Sequence, residues 1–232
     1  MFSPQIPLQL EPGRLDRFED FVPGPNHKVL AAIRQLLDEP GGSLFLWGPE
    51  GSGKSHLLNA LCHAAREKGL GAFYIALQSL PEEAAAGLDG LQDLDLVCVD
   101  DLDSVVGKPA WEQALFRCFN EVRAASGRLV VSSRLSLSSL QFSLPDLQSR
   151  LAWGLTMNLC LPDDEGKLQV LQQRARSLGI ELPRDVQRYL IRHSKRDMGS
   201  LLAMLERLKD AAFVAKRRLT VPLAREILSS NR

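Results

Sequence analysis

Gly48-Pro49-Glu50-Gly51-Ser52-Gly53-Lys54-Ser55 constrains this chain more than any other stretch. It meets the phosphate-loop pattern G-x-x-x-x-G-K-[ST] at every fixed position. An apolar run, Leu44 to Trp47, leads into it, and a helix-like stretch starts near Ser55. Strand, glycine loop and helix in that order make an anion nest. The glycines let successive N–H groups converge, and the helix N-terminus adds its positive end. In such a loop Lys54 reaches the β- and γ-phosphates of a nucleotide and the Ser55 hydroxyl ligates Mg²⁺. The residues Gly48, Pro49, Glu50, Gly51, Ser52, Gly53, Lys54 and Ser55 are therefore the candidate cofactor site.

Composition narrows the rest. Apolar residues make up 45% and charged residues 24%, the balance of an ordinary globular protein. Basic and acidic residues are equal at 28 each, so no net charge favours nucleic acid or an anionic membrane. No apolar run is long enough to cross a bilayer, and the N-terminus lacks the basic and apolar regions of a signal peptide. The expected location is the cytoplasm. Cys62, Cys98, Cys118 and Cys160 show no C-x-x-C spacing and each lies in an apolar stretch, which predicts buried free thiols. His27, His56, His63 and His193 form no metal pattern.

Five strand-like runs alternate with helical patterns: 44–47, 72–77, 94–99, 128–132 and 155–160, with helices expected over 27–38, 54–68, 80–91, 109–126 and 144–151. Alternation of this kind predicts an α/β fold, a parallel sheet with helices on both faces. The strands read as near-continuous apolar runs, as strands covered on both faces do. After Leu161-Pro162-Asp163-Asp164 no strand pattern remains. Residues 164–178, 183–193, 198–216 and 221–229 read as helices, and Leu201, Leu205, Leu208 and Ala212 form an apolar stripe suited to core packing. The opening residues, 1–26, are proline-rich and extended. The expected domains are an arm over 1–16, a base over 17–162 and an all-helical domain over 163–232.

The third strand run ends in Asp100-Asp101, 46 residues after Lys54. A phosphate-loop site needs a carboxylate there for Mg²⁺ and a second to orient or polarise an attacking water. Asp100 takes the metal role and Asp101 the water-facing role. The fourth run ends Val131-Ser132-Ser133-Arg134; Ser132 and Ser133 either touch the γ-phosphate or water, or simply close the strand and cap the next turn.

Leu147-Gln148-Ser149-Arg150-Leu151-Ala152-Trp153-Gly154-Leu155, following a phosphate loop and an Asp-Asp strand end, resembles the DnaA branch of the AAA+ ATPases. The segment Phe18-Glu19-Asp20-Phe21-Val22 is similar to the one that covers adenine in this branch, which implies nucleotide contacts from Phe21 and Val22. Gly53-Lys54-Ser55-His56-Leu57-Leu58-Asn59-Ala60 is similar to its loop-to-helix sequence and adds His56 to the site. The resemblance extends from about Phe18 to the end of the chain. It implies a P-loop AAA+ base with a parallel five-stranded sheet, followed by a small helical lid. Within the branch the match is to regulators that inactivate the DnaA initiator. The chain leaves no room after the lid for the helix-turn-helix domain by which DnaA binds its boxes, so no sequence-specific DNA binding is expected.

Gln5-Ile6-Pro7-Leu8-Gln9-Leu10 resembles the Gln-Leu-x-Leu-x-Leu type of sliding-clamp-binding peptide. Physically, an extended arm lays Ile6, Leu8 and Leu10 into an apolar groove while the Gln5 amide orients it; on the residues alone a strand-like tail packing on its own domain is the better reading, and the resemblance favours the clamp peptide. Arg150 falls where the resemblance implies an arginine finger, which enters a neighbour's nucleotide site and offsets charge on the transferred phosphoryl group. The plainer reading pairs Arg150 with Asp146 or a lid carboxylate.

Two departures matter. Ser133 stands where the DnaA pattern has an acidic residue, and Gly199 stands where the lid's sensor arginine is expected, with Arg196 one helical turn earlier. Both weaken the case for self-hydrolysis and favour a chain that holds ADP (or ATP) with Mg²⁺ and offers its arginine to DnaA while bound to the DNA polymerase sliding clamp. A homodimer or higher oligomer is open. The alternatives are a self-sufficient ATPase such as a helicase loader, and a DNA-binding initiator paralogue. For the second, Lys216-Arg217-Arg218 is the one compact basic cluster.

Overall fold

A computed structural model describes residues 16–193, 197–215 and 218–229. Gln5, Ile6, Leu8, Leu10 and Arg196 lie outside the described residues. Five strands, β1 (Ser43–Trp47), β2 (Ala72–Ala76), β3 (Leu96–Asp100), β4 (Arg128–Ser133) and β5 (Leu155–Asn158), form one sheet in the order β2-β3-β4-β1-β5. Every pairing is parallel. Helices α1 (His27–Gln35), α2 (Lys54–Glu67), α3 (Pro109–Ala124) and α4 (Pro145–Leu151) cover its faces.

Burial explains which strands look apolar throughout. All of β3 and β4 is buried, and β1 is buried at its three central residues. The edge strands differ from expectation: β2 is buried only at Ile75, and β5 is largely exposed, with Leu155 at 56%. A strand with one neighbour has one flank and part of its faces open, so an apolar run there does not imply full cover. Cys62, Cys98 and Cys118 are buried free thiols as expected, whereas Cys160, beyond the end of β5, is exposed. Burial pushes the Cys118 thiol up to about 12.

The pattern over 80–91 yields a 3₁₀ helix, Glu82–Leu88, instead of an α-helix. Pro81 caps it, Gly87 lies in its last turn, and its two buried residues, Ala85 and Leu88, are three apart, the repeat that a 3₁₀ helix eclipses.

The chain forms two compact units. The first holds the sheet with 26–49 and 53–160, and Asn26 closes it against Cys160. The Asn26 Nδ2–H donates to the Cys160 carbonyl (3.0 Å), and the Cys160 N–H donates to Asn26 Oδ1 (2.8 Å). The second holds 19–25, 50–52 and the chain from Leu161 on. Its helices are α5 (Asp164–Ser177), α6 (Arg184–His193), α7 (Met198–Ala215) and α8 (Val221–Ser229). Asp163 caps α5 by accepting from the Gly166 N–H at 2.8 Å. Leu201, Leu205 and Leu208 are fully buried in this unit's core with Leu171, Val186 and Leu190, and Ala212 packs against it. Among the described residues no helix is long and apolar enough to cross a membrane.

One buried carboxylate sets where α4 begins. Glu112, 1% exposed on the first turn of α3, accepts N–H groups of Gly107 (2.7 Å) and Ser143 (3.2 Å) on Oε1, and that of Leu144 (2.7 Å) on Oε2. Leu144 is the residue that opens α4. Glu112→Ala is expected to cost about 2–3 kcal/mol, because three donors lose one acceptor. Melting curves should show a fall of roughly 4–12 °C for a chain of this size, with Glu112→Gln intermediate.

Candidate functional site

Because β1, β3 and β4 run parallel and adjacent, their C-terminal ends meet on one edge of the sheet. Trp47 is in register with Ser133, and the Gly48 N–H donates to the Ser133 carbonyl at 3.1 Å. That bond ties the start of the phosphate loop to the end of β4. Within the loop Gly51 and Gly53 have φ of 78° and 98°, a region that costs a side chain energy and costs glycine little. Gly53 precedes α2 without any side-chain cap, so the first N–H groups of a 14-residue helix face the loop.

Lys54 is buried, and its Nζ donates to the Gly48 carbonyl (2.8 Å) and the Pro49 carbonyl (3.1 Å). Burial lowers its pKa, while the charges of Asp100, Asp101 and Asp103 oppose that shift. Ser52 is buried too, and its hydroxyl has no hydrogen-bond partner among the described residues. An orphaned hydroxyl, a buried ammonium and uncapped helix N–H groups in one loop fit a phosphate group well.

Asp100 is 1% exposed at the end of β3. Tyr74 Oη donates to its Oδ2 at 2.8 Å, and Ser132 Oγ donates to its Oδ1. Burial, with Asp100 beside it, raises the Tyr74 phenol above its usual range. Asp101 sits just beyond the strand in the left-handed region, φ 58° and ψ 45°, with its N–H donating to Ser132 Oγ at 3.1 Å. Partial burial raises the Asp101 carboxyl, and the charges of Asp100 and Asp103 add to that. So the expected pair is brought to the loop's side of the sheet, with Asp100 closed in by two hydroxyls and Asp101 the more open carboxylate.

Sequence reasoning missed Asp103. Its Oδ1 accepts from the Arg134 N–H (2.8 Å) and from Ser133 Oγ (3.3 Å), and its Oδ2 pairs with Arg134 Nε (2.6 Å). Burial acts to raise the Asp103 carboxyl, but the hydrogen bonds and charge of Arg134 outweigh it and hold the group below its usual range. The signal was present as Asp-Asp-Leu-Asp and Ser-Ser-Arg, yet nothing in spacing pairs two loops 30 residues apart. Ser133 is thereby committed to Asp103, and Ser132 to Asp100.

His56 contacts the start of the described chain: its Nε2 lies 3.0 Å from the Arg17 carbonyl and its Nδ1 3.3 Å from Asp16 Oδ1. Ser55 is exposed in the first turn of α2. Phe21 and Val22 are half-buried after a short 3₁₀ turn, Phe18–Asp20. Gly199 lies in the first turn of α7, where among the described residues an added Cβ would meet Asp197 Oδ1 at 3.5 Å. Among the described residues no group of three or more His, Cys, Asp and Glu side chains is arranged to hold a metal. Ser55 and one of the two carboxylates could hold a magnesium ion together with phosphate oxygens, the usual way Mg²⁺ is held in nucleotide sites.

Arg150 falls in the last turn of α4. Among the described residues its guanidinium makes no ion pair or hydrogen bond, with Asp146 or otherwise. Its Cζ lies 4.2 Å from the centroid of Trp153 and 5.8 Å from that of Phe116.

The raised Asp101 carboxyl has a sign that can be checked. A folded-state value above the unfolded one favours the protonated form, so ionisation of Asp101 costs stability as pH rises through the folded value. Asp101→Asn also suits the left-handed backbone. Without nucleotide it should raise the melting midpoint at neutral pH by about 1–2 °C, and the gain should disappear at pH below the carboxylate range.

Comparison with known proteins joins these observations. The family model described as the bacterial DnaA ATPase domain matches residues 14–158, and that of the Hda lid domain matches 164–228. Domain III of the Thermotoga maritima replication initiation protein DnaA superposes with a TM-score of 0.82 at 23% identity, over 94% of this chain and 97% of that one. AMPPCP-bound DnaA from Aquifex aeolicus gives 0.71 at 19% identity, over 85% of this chain and 65% of that one. The RuvB Holliday junction branch migration motor of Thermotoga maritima gives 0.65 at 16%, over 88% and 68%. With the five-stranded parallel sheet, the phosphate loop and the helical domain that follows, these matches make the chain a DnaA-related AAA+ protein of the Hda family.

Proposed function

We propose that this chain regulates replication initiation by promoting hydrolysis of the ATP bound to DnaA. The arm over 1–16 attaches it to the DNA-loaded sliding clamp through Gln5, Ile6, Leu8 and Leu10. The base over 17–162 holds a nucleotide, ADP in the resting form, and the lid over 163–232 follows it. Arg150 enters the nucleotide site of DnaA, where a guanidinium offsets the charge that develops on the transferred phosphoryl group.

The observation that carries this reading is the state of Arg150. Among the described residues its guanidinium has no carboxylate partner and lies over the Trp153 ring. Its N–H donors, unpaired among the described residues, suit a phosphate group of a partner's nucleotide.

In the chain's own site Lys54, Ser52 and the α2 N-terminus bind and orient phosphate, and Ser55 with Asp100 or Asp101 would hold Mg²⁺. The ion would neutralise phosphate charge when bound. Little self-turnover is expected: Ser133 carries no charge and is held by Asp103, and Gly199 brings no cation. The protein acts in the cytoplasm.

The test combines DnaA loaded with ATP, clamp on DNA and the purified chain. Arg150→Ala should lower the stimulated hydrolysis at least about a hundred-fold while leaving nucleotide and clamp binding intact. Stimulation retained by that variant removes the finger role. In a clamp pull-down, Gln5→Ala with Leu8→Ala should lose capture; undiminished capture would place clamp binding elsewhere or nowhere.

A further inference from the structure

We propose that Trp153 is a positioning residue for Arg150, its indole face holding the guanidinium in one plane so that the N–H edge is presented to a phosphate group. This rests on the reading of Arg150 given above.

Trp153 is 56% exposed, an unusual position for so large an apolar side chain. Its surroundings account for it. The Cζ of Arg150 and the Cζ of Arg123 each lie 4.2 Å from its ring centroid. Phe119, 3% exposed, meets the ring edge-on at 6.4 Å and 72°, anchoring the exposed indole to the core. Phe116, Phe119 and Arg123 recur at i, i+3 and i+7 along α3 and so share one face of that helix. The backbone after Trp153 is fixed as well. A Cβ on Gly154 would stand 2.1 Å from the Ser43 carbonyl oxygen, so only glycine lets the chain press against the start of β1. The indole therefore has a defined origin and a defined support.

Two guanidinium groups sharing one ring repel each other, and neither is paired with a carboxylate among the described residues. The face of the indole is their shared attraction. Stacking consumes the flat face of a guanidinium and leaves its N–H groups pointing outward in the plane, the geometry that meets a phosphate through two parallel hydrogen bonds. An unstacked arginine would spread over many rotamers and lose that orientation. A carboxylate partner would fix the arginine too, but would occupy the same N–H edge. An aromatic ring orients the group without using it up.

Two measurements on the full chain test this. The first needs no partner: in wild type the Arg150 Nε–H resonance is displaced by the ring current of Trp153, and in Trp153→Ala it should return to the position of an unstacked arginine. The second measures stimulated hydrolysis by ATP-bound DnaA as a saturation curve. Trp153→Ala should lower the maximal rate about ten-fold with the half-saturating concentration changed less than about two-fold. Trp153→Phe should restore most of that rate. Both variants should melt close to wild type, since the ring is mostly exposed.

An Arg150 resonance that does not move overturns the proposal. So does an unchanged maximal rate in Trp153→Ala, a loss carried by half-saturation alone, or failure of a folded Trp153→Phe to rescue. A wild-type chain that stimulates nothing although the resonance moves overturns the functional reading, and the positioning role with it. Stimulation intact with an unmoved resonance overturns the positioning role alone.

Discussion

The adjacency of three parallel strands, β3, β4 and β1, is the constraint on which the site depends. Parallel strands deliver their C-terminal ends to one edge, and here those ends carry Asp100, Ser133 and the phosphate loop. The hydrogen bond from Gly48 to the Ser133 carbonyl then fixes the loop relative to the sheet. Ligands of open α/β sheets lie outside the carboxyl ends of the strands for this reason. The cost is a carboxylate at the end of a fully buried strand. Tyr74 and Ser132 meet that cost by donating to both oxygens of Asp100. Satisfying Asp100 in this way leaves Asp101, on a left-handed turn, as the acidic group more open to solvent.

A second centre is organised by α3. Its inner face supplies Trp111, Leu115 and Phe119 to the core, and Glu112 gathers the N–H groups that open α4. Phe119, with Phe116 and Arg123 on the same flank of the helix, also reaches the region of Arg150 and Trp153. One helix thus supports the core, sets the start of α4 and flanks the arginine at its end. The first N–H groups of α2 face the phosphate loop, whereas those of Arg150 are unpaired among the described residues.

Much of the fold was legible because buried parallel strands and amphipathic helices leave strong periodic signals. The strand runs and the α2, α3 and lid helices fall within a few residues of their patterns. Where the pattern misled, a local cause is visible. Three alanines over 80–91 suggested an α-helix, but Pro81, Gly87 and a three-residue burial repeat made a 3₁₀ helix. Leu155 and Cys160 are apolar yet exposed, because apolar character does not report whether a strand has a neighbour on both sides. Neither the role of Glu112 nor the pairing of Asp103 with Arg134 could be read from spacing, since one charged residue in a helix or loop looks the same whether it faces water or gathers distant donors.

By itself the sequence determined the phosphate loop, the acidic strand end and the division into an α/β part and a helical part. These depend on local backbone needs: glycine where φ is positive, apolar runs where a strand is covered, a lysine and a hydroxyl at set distances along one turn. The tertiary structure alone decided which carboxylate is closed in, that Ser133 is held by Asp103, and that Arg150 lies over an indole and, among the described residues, pairs with no acid. Those outcomes depend on which side chains meet across separate elements, and hydrogen bonds, ion pairs and ring stacking act over a few ångströms of space regardless of distance along the chain.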